Sequence, residues 1–150
     1  MDANVKRLMA KMGPRGYDCV CGNLRMAARA VTAVYDRHLR DVGLQASQLA
    51  VLWAVAGLRS APVKDLAAAL AMHDTALMRN LRVLETRGWV AIDVGRDRRQ
   101  RIVTLTDAGH EAFAAAIPRW TKAQREVARV LDDGVEQMNA RLLSLARQVS

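Results

Sequence analysis

The chain is predicted to be mainly α-helical with a small β-hairpin wing, and three features of its 150 residues predict it. Apolar residues recur at helical spacing over most of the length, as Leu77, Leu81 and Leu84 do at i, i+4 and i+7. One stretch behaves otherwise. Residues 89–94 and 101–105 are short extended runs joined by Gly95-Arg96-Asp97-Arg98-Arg99-Gln100, a hairpin tip too charged to be buried. The composition is alanine-rich with only three Trp, two Tyr and one Phe, which favours closely packed helices. A polar-faced helix that stops at a glycine and leads into a basic hairpin is a winged helix-turn-helix. The long helices flanking it are expected to be N- and C-terminal dimerisation helices.

The elements follow in order. Residues 1–17 are polar and basic and contain Gly13-Pro14-Arg15-Gly16, so they read as a flexible N-terminal arm or short helical turn. Residues 18–150 read as a single winged-helix domain. Within it, 18–42 and 107–149 are the dimerisation helices and 46–106 the DNA-binding core. Asp18 is a plausible N-cap for the first long helix. Its seam is Leu24, Ala28, Val31, Tyr35, His38 and Val42, and Gly43 ends it. Residues 46–58, ASQLAVLWAVAGL, are apolar nearly all round and should be core, with Ser47 near the N-terminus. Ser60 and Pro62 are expected to open the next helix, because a proline's missing N–H costs nothing in a first turn. Ala71-Met72-His73 makes the turn into the probe helix, capped by Asp74 or His73, with Asp74 the better acceptor.

In that helix Leu77, Leu81 and Leu84 face inward while Arg79, Asn80 and Arg82 fall off the stripe. Gly88 suits the left-handed position that closes a helix. After the wing, Thr106 caps a helix beginning at Asp107, and Pro118 inside it should kink it. Asp132-Asp133-Gly134 breaks that helix. The last helix spaces Val135, Met138, Leu142, Leu145 and Val149 by 3, 4, 3, 4, and such an a/d stripe on a terminal helix wants a partner.

The net charge is +8, twice that in a dimer, and favours a polyanionic partner. No apolar run approaches the roughly eighteen residues needed to span a bilayer, so no membrane partner is expected. The opening MDANVKRLMAKMGPRG has no apolar centre and does not read as a secretion signal. Two cysteines, Cys19 and Cys21, are too few for a disulfide framework and suit a reducing cytoplasm. No phosphate loop, GxSxG or HExxH occurs, and His38, His73 and His110 share no metal-ligand spacing, so neither an enzyme, a cofactor nor a metal site is expected.

Two motifs carry a resemblance to a known family. Asp97-Arg98-Arg99 followed by Val103-Thr104-Leu105-Thr106-Asp107-Ala108-Gly109 resembles the wing and following helix start of the multiple-antibiotic-resistance regulator (MarR) family. Leu84-Glu85-Thr86-Arg87-Gly88 resembles the family's L-E-x-x-G at the end of its recognition helix. The likeness extends over about residues 18–149. It implies a cytoplasmic, homodimeric, sequence-specific DNA-binding transcription regulator, typically a repressor released by a small molecule or by thiol oxidation. An architectural DNA binder without ligand control is the alternative. A thiol-dependent enzyme using Cys21 is a third reading, disfavoured because no base lies near it in sequence.

Two copies would place two helices in major grooves of a pseudo-palindromic site, half-sites about one turn or roughly 10 bp apart. Arg79 is the candidate for a guanine contact, since its fork matches two acceptors on that base. Thr75 faces phosphate or a thymine methyl. Arg82 reaches phosphate or forms a salt bridge to Glu85 or Asp74. On the wing, the resemblance assigns Arg99 to the minor groove and Asp97 to orienting an arginine by a charge-assisted fork. Arg98 and Arg101 are the next phosphate candidates.

A signal has two possible entries. Trp53, Tyr35, His38, Met26, Arg29 and Trp120 either line an effector pocket or serve as ordinary core packing. Cys19 and Cys21 stand near a helix N-terminus, where the dipole favours thiolate. They are either small apolar fillers or a site for oxidation, electrophiles or a soft metal. Cys21 precedes Tyr35 by fourteen residues, a spacing similar to the family's peroxide-sensing branch, in which a cysteine pairs with a tyrosine of the other subunit. That branch has a second tyrosine where this chain has Ala46.

Overall fold

The computed structural model describes residues 2–11 and 19–149, except for the side chains of residues 8, 9 and 11. The chain divides into two units, residues 1–33 and 34–150, with the boundary inside the second helix. The first unit contains α1 (Ala3–Lys11), a continuous helix where the sequence suggested an arm or a single turn, and the start of α2 (Val20–Leu39). The Gly13–Gly16 break and the Asp18 cap lie outside the described residues.

The second unit begins with the end of α2. The α-helix stops at Leu39, and residues 40–42 tighten into a 3-10 turn instead of continuing to Val42. Gly43 closes that turn at φ +69°, and its N–H bonds the Arg40 carbonyl. Helix α3 (Ala46–Leu58) runs over the expected residues. Its N-terminus is capped by Gln45 and Gln48, which exchange backbone and side-chain bonds; Ser47 does not cap it. Gln48, Leu49, Val51, Leu52 and Val55 are buried, so α3 is the centre of the core.

Ser60–Pro62 corrects one expectation. These residues form a short strand, β1, and the helix α4 starts only at Val63, with Pro62 in the capping position and running to Ala69. Three residues carry no readable period, and proline is compatible with an edge strand, which is what β1 is. The probe helix α5 runs Asp74–Thr86. Its N-cap is His73 in extended conformation, without a side-chain bond, and Asp74 is already the first helical residue. Asp74 therefore favours the helix end through the dipole rather than by capping. Leu77, Leu81 and Leu84 are each fully buried. Gly88 has the expected positive φ, +69°.

Strands β2 (Val90–Val94) and β3 (Arg101–Leu105) are the wing. The sheet is three-stranded and antiparallel in the order β1-β3-β2, so the wing is anchored by a third strand that the hairpin pattern did not show. Ala61 lies opposite Val103, and Ile92 opposite the same residue on the other side. The core joins Leu39, Leu44, the α3 apolar residues, Leu66, the three α5 leucines, Val90, Val103 and Ala116. Each such leucine removed from water is worth about 1.5–3 kcal/mol.

Helix α6 (Asp107–Ala128) contains Pro118 without interruption, and α7 (Gly134–Gln148) follows the break at 129–133. Thr106 caps α6: its hydroxyl accepts from the Gly109 N–H at 3.0 Å and donates to the Gly88 carbonyl at 2.6 Å. Gly109 is buried because the first turn of α6 lies on the backbone of Trp89. A Cβ added at Gly109 would overlap the Trp89 carbonyl oxygen. That oxygen also accepts from the Thr106 N–H at 3.2 Å.

Gly109→Ala must therefore separate α6 from the root of the wing. We expect a loss of about 1–3 kcal/mol, the usual cost of overpacking a rigid contact. Thermal unfolding should register it as about 2–4 °C per kcal/mol in a chain of this size.

Candidate nucleic-acid interface

Burying the leucine stripe of α5 turns its other face outward. Asp74, Thr75, Ala76, Arg79 and Arg82 are exposed. Three salt bridges join described residues, and none involves Arg79 or Arg82. The pairing of Arg82 with Glu85 or Asp74 that the sequence allowed is therefore not formed. Instead the Arg82 carbonyl accepts the Thr86 hydroxyl at 2.8 Å. Asn80, read from the sequence only as outward, is tied down. Its amide donates to the Ala76 carbonyl and its oxygen accepts from the Ser47 hydroxyl, both at 3.2 Å. This bond pins the first turn of α3 to the middle of α5. No sequence signal marks it, since the partners are 33 residues apart.

The wing tip is built by short-range bonds. Asp97 Oδ1 accepts from the Arg99 N–H at 3.0 Å, and the Gln100 N–H donates to the Asp97 carbonyl at 2.8 Å. Asp97 thus shapes the tip through the backbone, and none of the salt bridges among the described residues joins it to an arginine. Such a bond to a local backbone amide is what aspartate does best in a turn. Arg101 bends back and donates to the Arg98 carbonyl at 3.2 Å, so it braces the tip. Arg96, Arg98 and Arg99 are exposed and enter none of the salt bridges among the described residues. The result is one unit in which an arginine-bearing helix and an arginine-bearing loop leave their charge unneutralised, which suits a polyanion.

The expected effector residues do not meet in one small pocket. Tyr35, His38 and Trp53 all dock on α6, at different heights. Trp53 packs edge-on to Phe113, with ring centroids 5.4 Å apart, and tilted against Trp120 at 5.2 Å. Tyr35 donates its hydroxyl to Gln124, and burial holds its pKa above the ordinary value. His38 lies 2.8 Å from Glu126, which also accepts a bond from Arg37. From Phe113 to Glu126 is about 20 Å of helix at 1.5 Å per residue. These residues form a row along α6 and join α3 and the end of α2 to it. Trp53 is not core in this chain, since 44% of it is exposed.

Cys19 and Cys21, in the other unit, are free and exposed, not small buried fillers. Cys19 precedes the first residue of α2, and its Sγ accepts from the Gly22 N–H at 3.4 Å, a thiol in the N-cap position. Met26, offered as a pocket residue, is exposed as well.

The exposed helix, its glycine stop and the basic hairpin anchored by a third strand define a winged-helix DNA-binding protein. Residues 48–122 match the family described as winged helix DNA-binding domain. The chain superposes on the M. tuberculosis transcriptional regulator MosR in complex with DNA with a TM-score of 0.81. The two are 31% identical, over 88% of this chain and 96% of that one. It is also similar in fold to a mutant MarR from E. coli complexed with operator DNA, with a TM-score of 0.76 and 20% identity over 92% and 97% of the two chains. A curated relative is the HTH-type transcriptional regulator YwoH of Bacillus subtilis, 24% identical over 104 residues, which are 69% of this chain and 76% of that one. The chain belongs to the MarR family of winged helix-turn-helix transcription regulators. It is a DNA-binding regulator, and the exposed faces of α5 and the wing are where its charge is presented.

The row along α6 gives a pH dependence. Hydrogen bonds from Arg37, then His38, hold the Glu126 carboxyl below its ordinary value of 4.5. A depressed carboxylate stabilises the fold above its unfolded pKa, and that stabilisation is lost as pH falls through the folded one. Wild type should therefore exceed Glu126→Gln in urea midpoint at pH 7, and the gap should close as pH falls through and below the ordinary carboxylate range.

Proposed function

We propose that the chain works as a two-fold dimer that represses transcription in the cytoplasm by holding a pseudo-palindromic operator. Each subunit sets α5 in a major groove and its wing against the flanking minor groove or backbone. The observation that carries this reading is the division of α5 into a fully buried leucine stripe and an outward face holding Thr75, Arg79 and Arg82. Arg79 reads guanine, Thr75 and Arg82 position the helix, Arg98 and Arg99 reach DNA from the wing, and Asp97 and Arg101 hold the tip in shape.

Support for the dimer lies in α7. It contains no buried residue, and Leu142, Leu143, Leu145 and Val149 are all exposed. A helix whose a/d stripe is left largely uncovered by the described residues is stabilised by a second copy, which closes the two-fold assembly. Release by a small molecule is supported by the half-exposed Trp53 with Trp120, an aromatic surface on the helix that links α2 to the DNA-binding core. Release by oxidation is supported by the exposure of Cys19 and Cys21 at the start of α2.

Genome-wide selection of bound fragments, repeated after mild peroxide treatment, tests the whole reading. A palindromic consensus lost on oxidation, and retained by a Cys19→Ala, Cys21→Ala double variant, is the expected result. Binding with a steep salt slope and no consensus would establish an architectural DNA binder instead. Arg79→Ala should relax base preference at one position of each half-site, by about 1–3 kcal/mol of discrimination. Arg99→Ala should weaken all sequences alike and reduce the salt slope by about one. Equal loss of preference in both would overturn these roles. A Leu142→Arg, Leu145→Arg variant should sediment as a monomer.

A further inference from the structure

We infer that Arg87 is a positioning residue that sets the angle between the helical arms and the DNA probe. The inference rests on the two-fold reading above. Arg87 follows the last residue of α5 and is exposed, yet it does not reach outward. Its Nη1 donates to the carbonyl of Gly43, 44 residues away, and its guanidinium lies 4.9 Å over the Trp89 ring. These contacts join three places. Gly43 is the elbow between α2 and α3, Arg87 is the end of the probe helix, and Trp89 is the root of the wing.

The elbow is shaped to receive the guanidinium. Gly43 holds φ +69°, and a Cβ there would stand 3.3 Å from Arg87 Nη1, a distance at which the side chain must give way. The Gly43 and Leu44 N–H groups already close the preceding turn on the Arg40 and Leu39 carbonyls. The Gly43 carbonyl is left for Arg87. On the other side, the end of α2 is held to α6 by Tyr35–Gln124, Arg37–Glu126 and His38–Glu126, and to α3 by the Ala46 N–H donating to Asp36 Oδ1 at 2.7 Å. Contacts therefore run from α6 through α2 and Gly43 to Arg87, and beside the seat of α6 on Trp89 and the Ser47–Asn80 bond they form a separate link from the end of α2 to the end of α5 and the root of the wing. In a dimer clasped through its helical arms, rotation at this joint changes the separation of the two probes. A planar fork that donates and stacks at once suits such a joint; an ammonium keeps one donor and loses the stacked plane.

The competing role is a phosphate contact, since Arg87 also lines, with Arg82, Val83 and Thr86, a shallow groove of about 240 Å³. The experiment separates the two. The selected operator is rebuilt with one base pair added to or removed from its centre, which moves one half-site by about 3.4 Å and turns it by about 34°. Wild type, Arg87→Lys and Arg87→Ala are titrated on all three duplexes at several salt concentrations.

Wild type should prefer the native spacing by roughly tenfold or more, a typical cost for one misplaced contact set. Arg87→Ala should hold its salt slope and fall to roughly threefold preference or less, and Arg87→Lys should lie between them. If Arg87→Ala does not fold, intermediate selectivity in Arg87→Lys at unchanged salt slope carries the inference. A uniform loss at every spacing with a salt slope lower by about one makes Arg87 a phosphate contact and overturns it. Unchanged spacing selectivity in both variants overturns it too. A wild-type protein indifferent to spacing overturns the two-fold reading itself, and with it this inference, before any variant is compared.

Discussion

The constraint on which the rest depends is the burial of Leu77, Leu81 and Leu84. Each is fully removed from solvent against the α3 side of the core. Three leucines at i, i+4 and i+7 leave a helix almost no rotational freedom about its own axis, because each is worth about 1.5–3 kcal/mol in that orientation only. The orientation of Thr75, Arg79 and Arg82 is a consequence. The Thr75 hydroxyl and the guanidinium groups of Arg79 and Arg82 face water because the leucines do not, and none of the salt bridges among the described residues engages those arginines. Chemistry on the outside of α5 is thus set by packing on its inside.

The wing is held to this helix by a joint made almost wholly of backbone. Gly88 turns the chain, Thr106 bridges the Gly88 carbonyl and the Gly109 amide, and the first turn of α6 sits on the Trp89 carbonyl. The third strand, β1, adds a second anchor on the far edge of β3. A hairpin carrying exposed arginines repels itself and is poorly stable alone. Here it is the free end of a sheet whose root is fastened at both edges, so the charged tip can be extended without melting the strands.

Helix α6 serves as the spine of the larger unit. It receives Trp53 from α3, Tyr35, Arg37 and His38 from α2, and the wing at its first turn. Any influence acting on the α2–α6 row is physically connected to the DNA-binding core by those contacts. The same geometry spreads Tyr35, His38 and Trp53 along a helix and does not gather them around one cavity. Their shared task within the chain is to dock elements on α6.

Local pattern made much of this legible. The leucine stripe, the glycine stop at 88, the charged tip, the Thr106 cap and the a/d stripe of α7 all depend on neighbours within a few residues, and the structure has each of them in place. What local pattern lacked was contact between distant segments. Ser60–Pro62 is too short to carry a period and becomes a strand only because β3 is beside it. Ser47 finds Asn80, Arg87 finds Gly43, and Glu126 finds Arg37 and His38 across 33 to 89 residues. Asp97 was assigned an arginine, but a nearer backbone amide takes its carboxylate. The sequence by itself determined the kind of protein and which residues stand on the outward face of α5 and on the wing tip, because periodicity and turn chemistry are short-range. Only the tertiary structure decided how the probe is aimed, because aim is a property of joints between elements, and each of those joints is a side chain reaching a partner that the sequence places far away.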